Sequence, residues 1–149
     1  MFHDNFFIRE IEVDDYSDYM RLMFEFTGYK YDITVDKFQQ QLAEFQTMNI
    51  AKTYVMGTSI DGKRKIIGAG TLFILWKLHN NPIGQIEDVI ITSEYRGTGL
   101  GKWMIEKLVT VAQEKFKVYK VILNCIEKNI DFYHKCNFNI TGVQMKFSP

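Results

Sequence analysis

The 149-residue sequence holds only two prolines, Pro82 and Pro149, so it has no Pro-rich linker along which to divide. Its two cysteines, Cys125 and Cys136, are too few for the disulfide framework of a small secreted domain, and they are spaced neither as CxxC nor as a metal-ligand set. They read as reduced thiols, packed or half-exposed, in a cytoplasmic protein without a metal. An excess of one charge is also missing: 18 Lys and Arg balance 18 Asp and Glu, with no polybasic run, which argues against a nucleic-acid partner. No stretch approaches the ~20 apolar residues of a membrane span. Met1 to Ile8, with His3 and Asp4, is not a charged n-region followed by an apolar h-region. A soluble, unexported chain with no membrane partner is expected. What the sequence does have is core material: hydrophobic residues make up 46% and aromatics 15%, enough for one compact domain over residues 1–149.

Phe6 to Ile11 alternates apolar and polar residues, the period of a strand with one buried face. Asp14 or Asp15 can cap a helix in which Tyr16, Tyr19, Met20, Met23 and Phe24 recur at helical spacing until Thr27-Gly28 stops it. Thr34 can cap a second helix lined by Phe38, Leu42 and Phe45 and ending near Asn49. Tyr54 to Ile60 and Ile66 to Leu75 flank the polar turn Asp61-Gly62-Lys63-Arg64, a hairpin signal. Gln85 to Ile91 is a further strand, followed after a glycine-rich turn by a helix carrying Trp103, Ile105, Leu108, Val109 and Ala112. Val118 to Cys125 reads as a strand and Asn129 to Lys135 as a short helix, with Phe138 to Ile140 and Val143 to Phe147 as closing strands. No internal repeat or low-complexity segment is present.

Arg96-Gly97-Thr98-Gly99-Leu100-Gly101-Lys102 joins a strand to a helix. Free backbone N–H groups and the positive dipole end of the helix can hold an anion there, and glycines let the backbone come close. Taken alone, such glycines are often mere turn residues. The spacing is neither that of a P-loop nor that of a Rossmann dinucleotide fingerprint, so any phosphate cradle is of another kind. Arg96-x-x-Gly99-x-Gly101 resembles the signature of the GNAT superfamily, and the order of strands and helices resembles that fold over the whole chain. GQIEDVIITSEYRGTGLGK, VILNCIEKNIDFYHKCNF and the closing VQMKF further resemble the glucosamine-6-phosphate N-acetyltransferases within it. The resemblance implies an α/β (α+β) fold with a mixed central sheet of about seven strands and about four helices. It also implies acetyl-CoA as cosubstrate, a sugar phosphate as acceptor, and a homodimer with substrate sites at the subunit interface.

Acyl transfer from a thioester to an amine needs an in-line neutral amine, stabilisation of the developing oxyanion, and protonation of the departing thiolate. By resemblance, the pantetheine arm lies along Val89, Ile90 and Ile91, with the Val89 N–H facing the thioester oxygen, and Arg96 to Lys102 hold the pyrophosphate. Those three residues would otherwise read as a buried core strand, and the two readings are compatible because side chains and backbone do different work. Tyr133 matches the family's general acid, although a tyrosine is more often core packing. Asn129 and Lys135 match cofactor contacts, while His134 reads as a surface residue. Glu87 and Asp88 stand in mid-strand, on opposite faces if the strand is regular, where burial is costly without partners. The resemblance makes them binders of the sugar and acceptors of the amine's proton, against the alternative of a solvated strand edge. Thr27, Trp76, Lys77, Leu78 and His79 match further sugar-phosphate contacts.

Two positions depart from the family pattern. Asn124 stands where an acidic residue is common; it can accept a hydrogen bond from the amine but cannot take its proton, so a base role moves to Glu87, Asp88 or water. Ser148 stands where the family has an arginine for the partner's substrate phosphate, leaving Lys146 as the basic residue of the closing segment. These departures keep open another small amine or a protein amine as acceptor. A noncatalytic acetyl-CoA-binding module is a further alternative, weakened by Tyr133 and Glu87-Asp88.

Overall fold

The computed structural model describes residues 4–149; Met1 to His3, the start of the segment read above as no export signal, lie outside the described residues. The order is β1 (Phe6–Glu10), α1 (Tyr16–Thr27), α2 (Val35–Met48), β2 (Ala51–Ile60), β3 (Lys63–Leu75), β4 (Ile83–Ile91), α3 (Leu100–Phe116), β5 (Lys120–Leu123) and α4 (Ile130–Lys135).

Local chemistry sets most of these boundaries. Gly28 adopts φ 71° and donates its N–H to the Phe24 carbonyl at 2.8 Å, closing α1. Thr34 accepts the Lys37 N–H at 3.2 Å and so caps α2, which ends at Asn49 with φ 54°. Asp15 precedes α1 without capping it. Its carboxylate accepts the Glu12 N–H at 2.8 Å and the Arg9 guanidinium at 2.7 and 2.9 Å, tying β1 to the entrance of the helix. The β2–β3 turn is tighter than the four residues read from the sequence. Asp61 and Gly62 alone make it, at φ 51° and 73°, while Lys63 and Arg64 pair with Ile60 and Ser59.

The strands form one sheet in the order β1-β2-β3-β4-β5, antiparallel except for the parallel β4–β5 pair that α3 connects. Alternation divides the core. Met56, Ile67, Leu72 and Ile86 meet Met104, Ile105 and Leu108 of α3 on one face. Val55, Ile66, Ala69 and Ile90 meet Leu22 and Met23 of α1, with Phe38 and Leu42 of α2, on the other. A Cβ on Gly70 would lie 2.9 Å from Leu108 Cδ1, so this glycine lets α3 approach the sheet.

The described residues contain five strands rather than about seven, because residues 138–149 join no ladder. Val143, Met145 and Phe147 keep a period-2 pattern but are 92%, 92% and 88% exposed. Alternation specifies a face, and a strand also needs a neighbouring edge. The segment Val118 to Cys125 is likewise trimmed to Lys120–Leu123. No helix among the described residues is long and apolar enough to cross a membrane. Cys125 is exposed and Cys136 buried, both as free thiols.

Candidate active site

The site begins with an irregularity in β4. Ala69 pairs with Ile90 and Thr71 with Glu87, so Asp88 and Val89 together face Gly70 alone. This is a β-bulge, and it puts Asp88 at φ 53°. Glu87 and Asp88 are therefore not neighbours on a regular strand, which corrects the geometry expected from the sequence. Glu87 accepts the Gln85 amide at 2.6 Å, while the Asp88 side chain lines a cavity on the α1–α2 face. Asp88 is solvent-exposed as a residue, yet partial desolvation of its carboxyl, and after it the charge of Glu87, raises it above its ordinary value. A raised carboxyl is a better proton acceptor once ionised, because its conjugate acid is weaker.

Beside the bulge the sheet opens. β5 pairs with β4 only from Ile83 to Ile86, so the far edge of β4 from Glu87 onward has no strand beside it among the described residues. Thr92 donates its N–H to the Ile67 carbonyl at 2.8 Å and so faces β3. By alternation Ile90 also faces β3, and Ile91 faces the open side. The Ile91 carbonyl accepts Arg96 Nε at 3.0 Å. The side chains of Ile90 and Ile91 are packed in the two core clusters, so at these two positions only backbone groups are offered to an extended guest.

The glycine turn follows. Gly97 and Gly99 adopt φ 75° and 86°, and a Cβ on either would project into open space, leaving room for a ligand against the backbone. The N–H groups of Leu100, Gly101 and Lys102 begin a 17-residue helix that has no acidic residue in its first turn, so an anion is not opposed there. Gly101 has a different reason to be glycine: its Cβ would sit 3.2 Å from the Phe132 ring. Thr98 donates its hydroxyl to the Tyr95 carbonyl at 2.5 Å, and Lys102 lies 3.9 Å from Glu106.

Glu25 on α1 holds this turn in place and was missed by the sequence reading. It accepts the Thr92 hydroxyl and the Ser93 N–H, each at 2.8 Å, and lies 3.4 Å from Arg96 Nη2. Burial pushes its carboxyl up, but Thr92, Ser93, Arg96 and Arg21 outweigh that and hold it below the ordinary range. Nothing local in the sequence signals Glu25, whose partners are 67 to 71 residues away.

Tyr133, on α4, packs edge-on against Phe132 and Phe138 with ring centroids 4.9 and 6.2 Å away. Burial, with smaller contributions from Cys125 and Cys136, pushes its hydroxyl up to about 12, so it stays protonated throughout the neutral range. Asn129 occupies the N-cap of α4, and Lys135 and His134 are exposed in its last turn. Asn124 is exposed just beyond β5.

On the acceptor side, Thr27 and Asp88 line the same cavity; the Thr27 hydroxyl donates to the Met23 carbonyl at 2.9 Å and accepts the Tyr29 N–H at 3.1 Å. The other expected acceptor residues are not brought to it. Trp76, Lys77, Leu78 and His79 lie exposed before β4, and the five residue steps from Ile83 to Asp88 alone span roughly 15 Å of strand. Lys146 is exposed in the closing segment. Among the described residues no group of three or more His, Cys, Asp or Glu is arranged to hold a metal.

This geometry has close relatives. The chain is 34% identical to Glucosamine 6-phosphate N-acetyltransferase 1 of Dictyostelium discoideum, over 95% of this chain and 90% of that protein. It is 30% identical to the glucosamine 6-phosphate N-acetyltransferase of Arabidopsis thaliana, over 95% of each. The crystal structure of the glucosamine-6-phosphate N-acetyltransferase from Arabidopsis thaliana matches with a TM-score of 0.87 at 29% identity, covering 97% of this chain and 99% of that one. Residues 8–138 match the acetyltransferase (GNAT) family, and the chain belongs to it.

Proposed function

We propose that the protein transfers an acetyl group from acetyl-CoA to the amine of glucosamine 6-phosphate, giving N-acetylglucosamine 6-phosphate and CoA by direct attack in a ternary complex. The observation that carries this reading is the opening of β4 from β5 between the Asp88 bulge and the glycine turn, in a chain whose relatives along nearly its full length bear that activity in their names. Acetyl-CoA supplies the acyl thioester. The N–H groups of Leu100, Gly101 and Lys102 hold its pyrophosphate, with Arg96, Gly97, Thr98 and Gly99 shaping the approach, and Asn129 and Lys135 border it from α4. Val89 and Ile91 offer backbone groups to its arm, and the Val89 N–H stabilises the oxyanion. Asp88, adjoining Glu87, takes the amine's proton; Asn124 orients the nitrogen through its amide oxygen.

Tyr133 donates to the leaving sulfur. A thiol ordinarily ionises near ~8.5, well below the tyrosine's value of about 12. Tyr133 therefore stabilises the thiolate mainly as a hydrogen-bond donor, and full transfer draws its proton from the amine by way of solvent.

The protein acts as a cytoplasmic homodimer on a small molecule, with residues 1–149 as one catalytic domain and neither nucleic acid nor membrane as partner. Two features support the dimer: the exposed apolar row Val143, Met145 and Phe147, and the placement of Trp76, Lys77, Leu78, His79 and Lys146 away from the cavity of their own chain. In a dimer these residues serve the sugar phosphate bound by the other subunit. An acceptor panel tests the reading by following thiol release from acetyl-CoA. Glucosamine 6-phosphate should exceed glucosamine, polyamines and peptide amines; a polyamine or peptide at the head of the panel would reassign the acceptor, and no acceptor-dependent release would make the chain a binding module.

A further inference from the structure

The cavity reached by Asp88 is lined mainly by apolar and aromatic residues. It has a volume of about 390 Å³ and lies between α1, α2 and the sheet, with walls that include Tyr19, Phe38, Phe45 and Phe73. That is the size of a small-molecule pocket. Phe45 and Phe73 meet edge-on at 6.0 Å, and Tyr19 and Phe38 lie 5.9 Å apart, so the walls are ring faces and edges. Of its polar lining, Thr53 and Thr71 bond each other at 2.9 Å. Asp88 is the one Asp, Glu, Lys, Arg or His in the lining, and no ion pair among the described residues engages it. A phosphate placed in this cavity would meet a carboxylate and no cation. An ammonium with an apolar body would meet a carboxylate and a ring-lined pocket.

We propose that this cavity is a second acceptor site, and that the protein also acetylates small primary amines carried on a phenyl or branched-alkyl body. The proposal rests on the acetyl-CoA reading above for the donor. The two acceptors share the place of the nitrogen at Asp88 and diverge beyond it: the apolar body enters the cavity, and the sugar phosphate leads away toward the cations of the other subunit. The ammonium gives one proton to the Asp88 carboxylate, and the neutral nitrogen then forms the C–N bond as the C–S bond breaks. The remaining displaced proton reaches the CoA thiol by way of solvent, with the Tyr133 hydroxyl hydrogen-bonded to the sulfur, and the proton on Asp88 passes to solvent. The products are one amide, one CoA thiol and one proton for each ammonium and acetyl-CoA consumed.

The test compares 2-phenylethylamine with methylamine, which has no body to bury, using the full chain, saturating acetyl-CoA, thiol release and mass detection of the amide. Burial of the ring should raise kcat/KM by roughly tenfold or more. Gln41 is exposed on α2 and lines the cavity, so Gln41→Trp should fill it from the solvent side. That variant should lose roughly tenfold with 2-phenylethylamine and stay within about twofold with glucosamine 6-phosphate. Equal kcat/KM for the two amines overturns the proposal, as does equal loss of both acceptors in Gln41→Trp. Acetylation of the sugar phosphate without calorimetric binding of 2-phenylethylamine to the CoA-bound protein overturns this inference alone. Acetylation of the apolar amine without the sugar phosphate upholds it and overturns the acceptor proposed above. Displacement of 2-phenylethylamine by a synthetic peptide of residues 141–149 would make the cavity a seat for a second copy's closing segment, and would also overturn it.

Discussion

Replacing Glu25 by glutamine separates positioning of the cofactor cradle from chemistry. The carboxylate holds Thr92 and Ser93 at 2.8 Å and Arg96 at 3.4 Å, and Gln retains the shape while removing the charge. Hydrogen bonds to a charged acceptor contribute about 1.5–3 kcal/mol each and neutral ones about 1. The two short bonds therefore weaken together by about 1–4 kcal/mol. The Arg96 contact adds less than about 1 kcal/mol, because that side chain is 58% exposed. Glu25→Gln should destabilise the fold by about 1–4 kcal/mol and raise the KM for acetyl-CoA by roughly tenfold, with kcat nearly unchanged. The sign with pH follows from the depressed carboxyl. Its contribution is complete above the unfolded value of about 4.3 and is lost as pH falls through the lower folded value, so the gap between wild type and variant is flat at neutral pH and closes in acid. Steady-state kinetics with acetyl-CoA varied, beside thermal unfolding from pH 3 to 8, provide the assay. An unchanged KM in a measurably destabilised protein would refute the link from Glu25 through Arg96 to the cradle.

Tyr133→Phe should lower kcat by roughly 10²-fold with little change in acetyl-CoA affinity. The wild-type rate should also show no tyrosine ionisation limb between pH 9 and 10, because protonated donor is lost only as pH rises through about 12; such a limb would contradict the assignment. Gly99→Val should weaken acetyl-CoA binding by calorimetry well beyond its cost in strain, since its side chain would meet a ligand and no protein atom. Gly101→Val is the poorer probe, as it also presses on Phe132. Lys146→Ala should raise the KM for glucosamine 6-phosphate by roughly tenfold while leaving acetyl-CoA and unphosphorylated glucosamine unaffected. Equal loss with both sugars would assign Lys146 to the fold or the dimer.

What the sequence made legible was local. The Thr34 cap, the Gly28 stop and the glycine turn depend on residues within a few positions of each other, and they stand where spacing put them. The Asp88 bulge was not legible, because an extra residue in β4 exists only relative to its register with β3. Glu25 was hidden by distance along the chain, since its partners belong to a turn that α1 meets only after folding. The closing strands failed for a related reason: the alternation of Val143, Met145 and Phe147 is genuine, but no edge within the described chain receives it. Of the expected acceptor residues, Thr27 and Asp88 converge on one cavity, while Trp76 to His79 and Lys146 are not among its lining.

The central claim, direct transfer between two bound substrates, is met most directly by initial rates with acetyl-CoA and glucosamine 6-phosphate both varied, with the acetylated sugar counted against released thiol. Intersecting double-reciprocal lines and one N-acetylglucosamine 6-phosphate per thiol are the expected result. Parallel lines, or thiol released without a matching acetylated sugar, would contradict it.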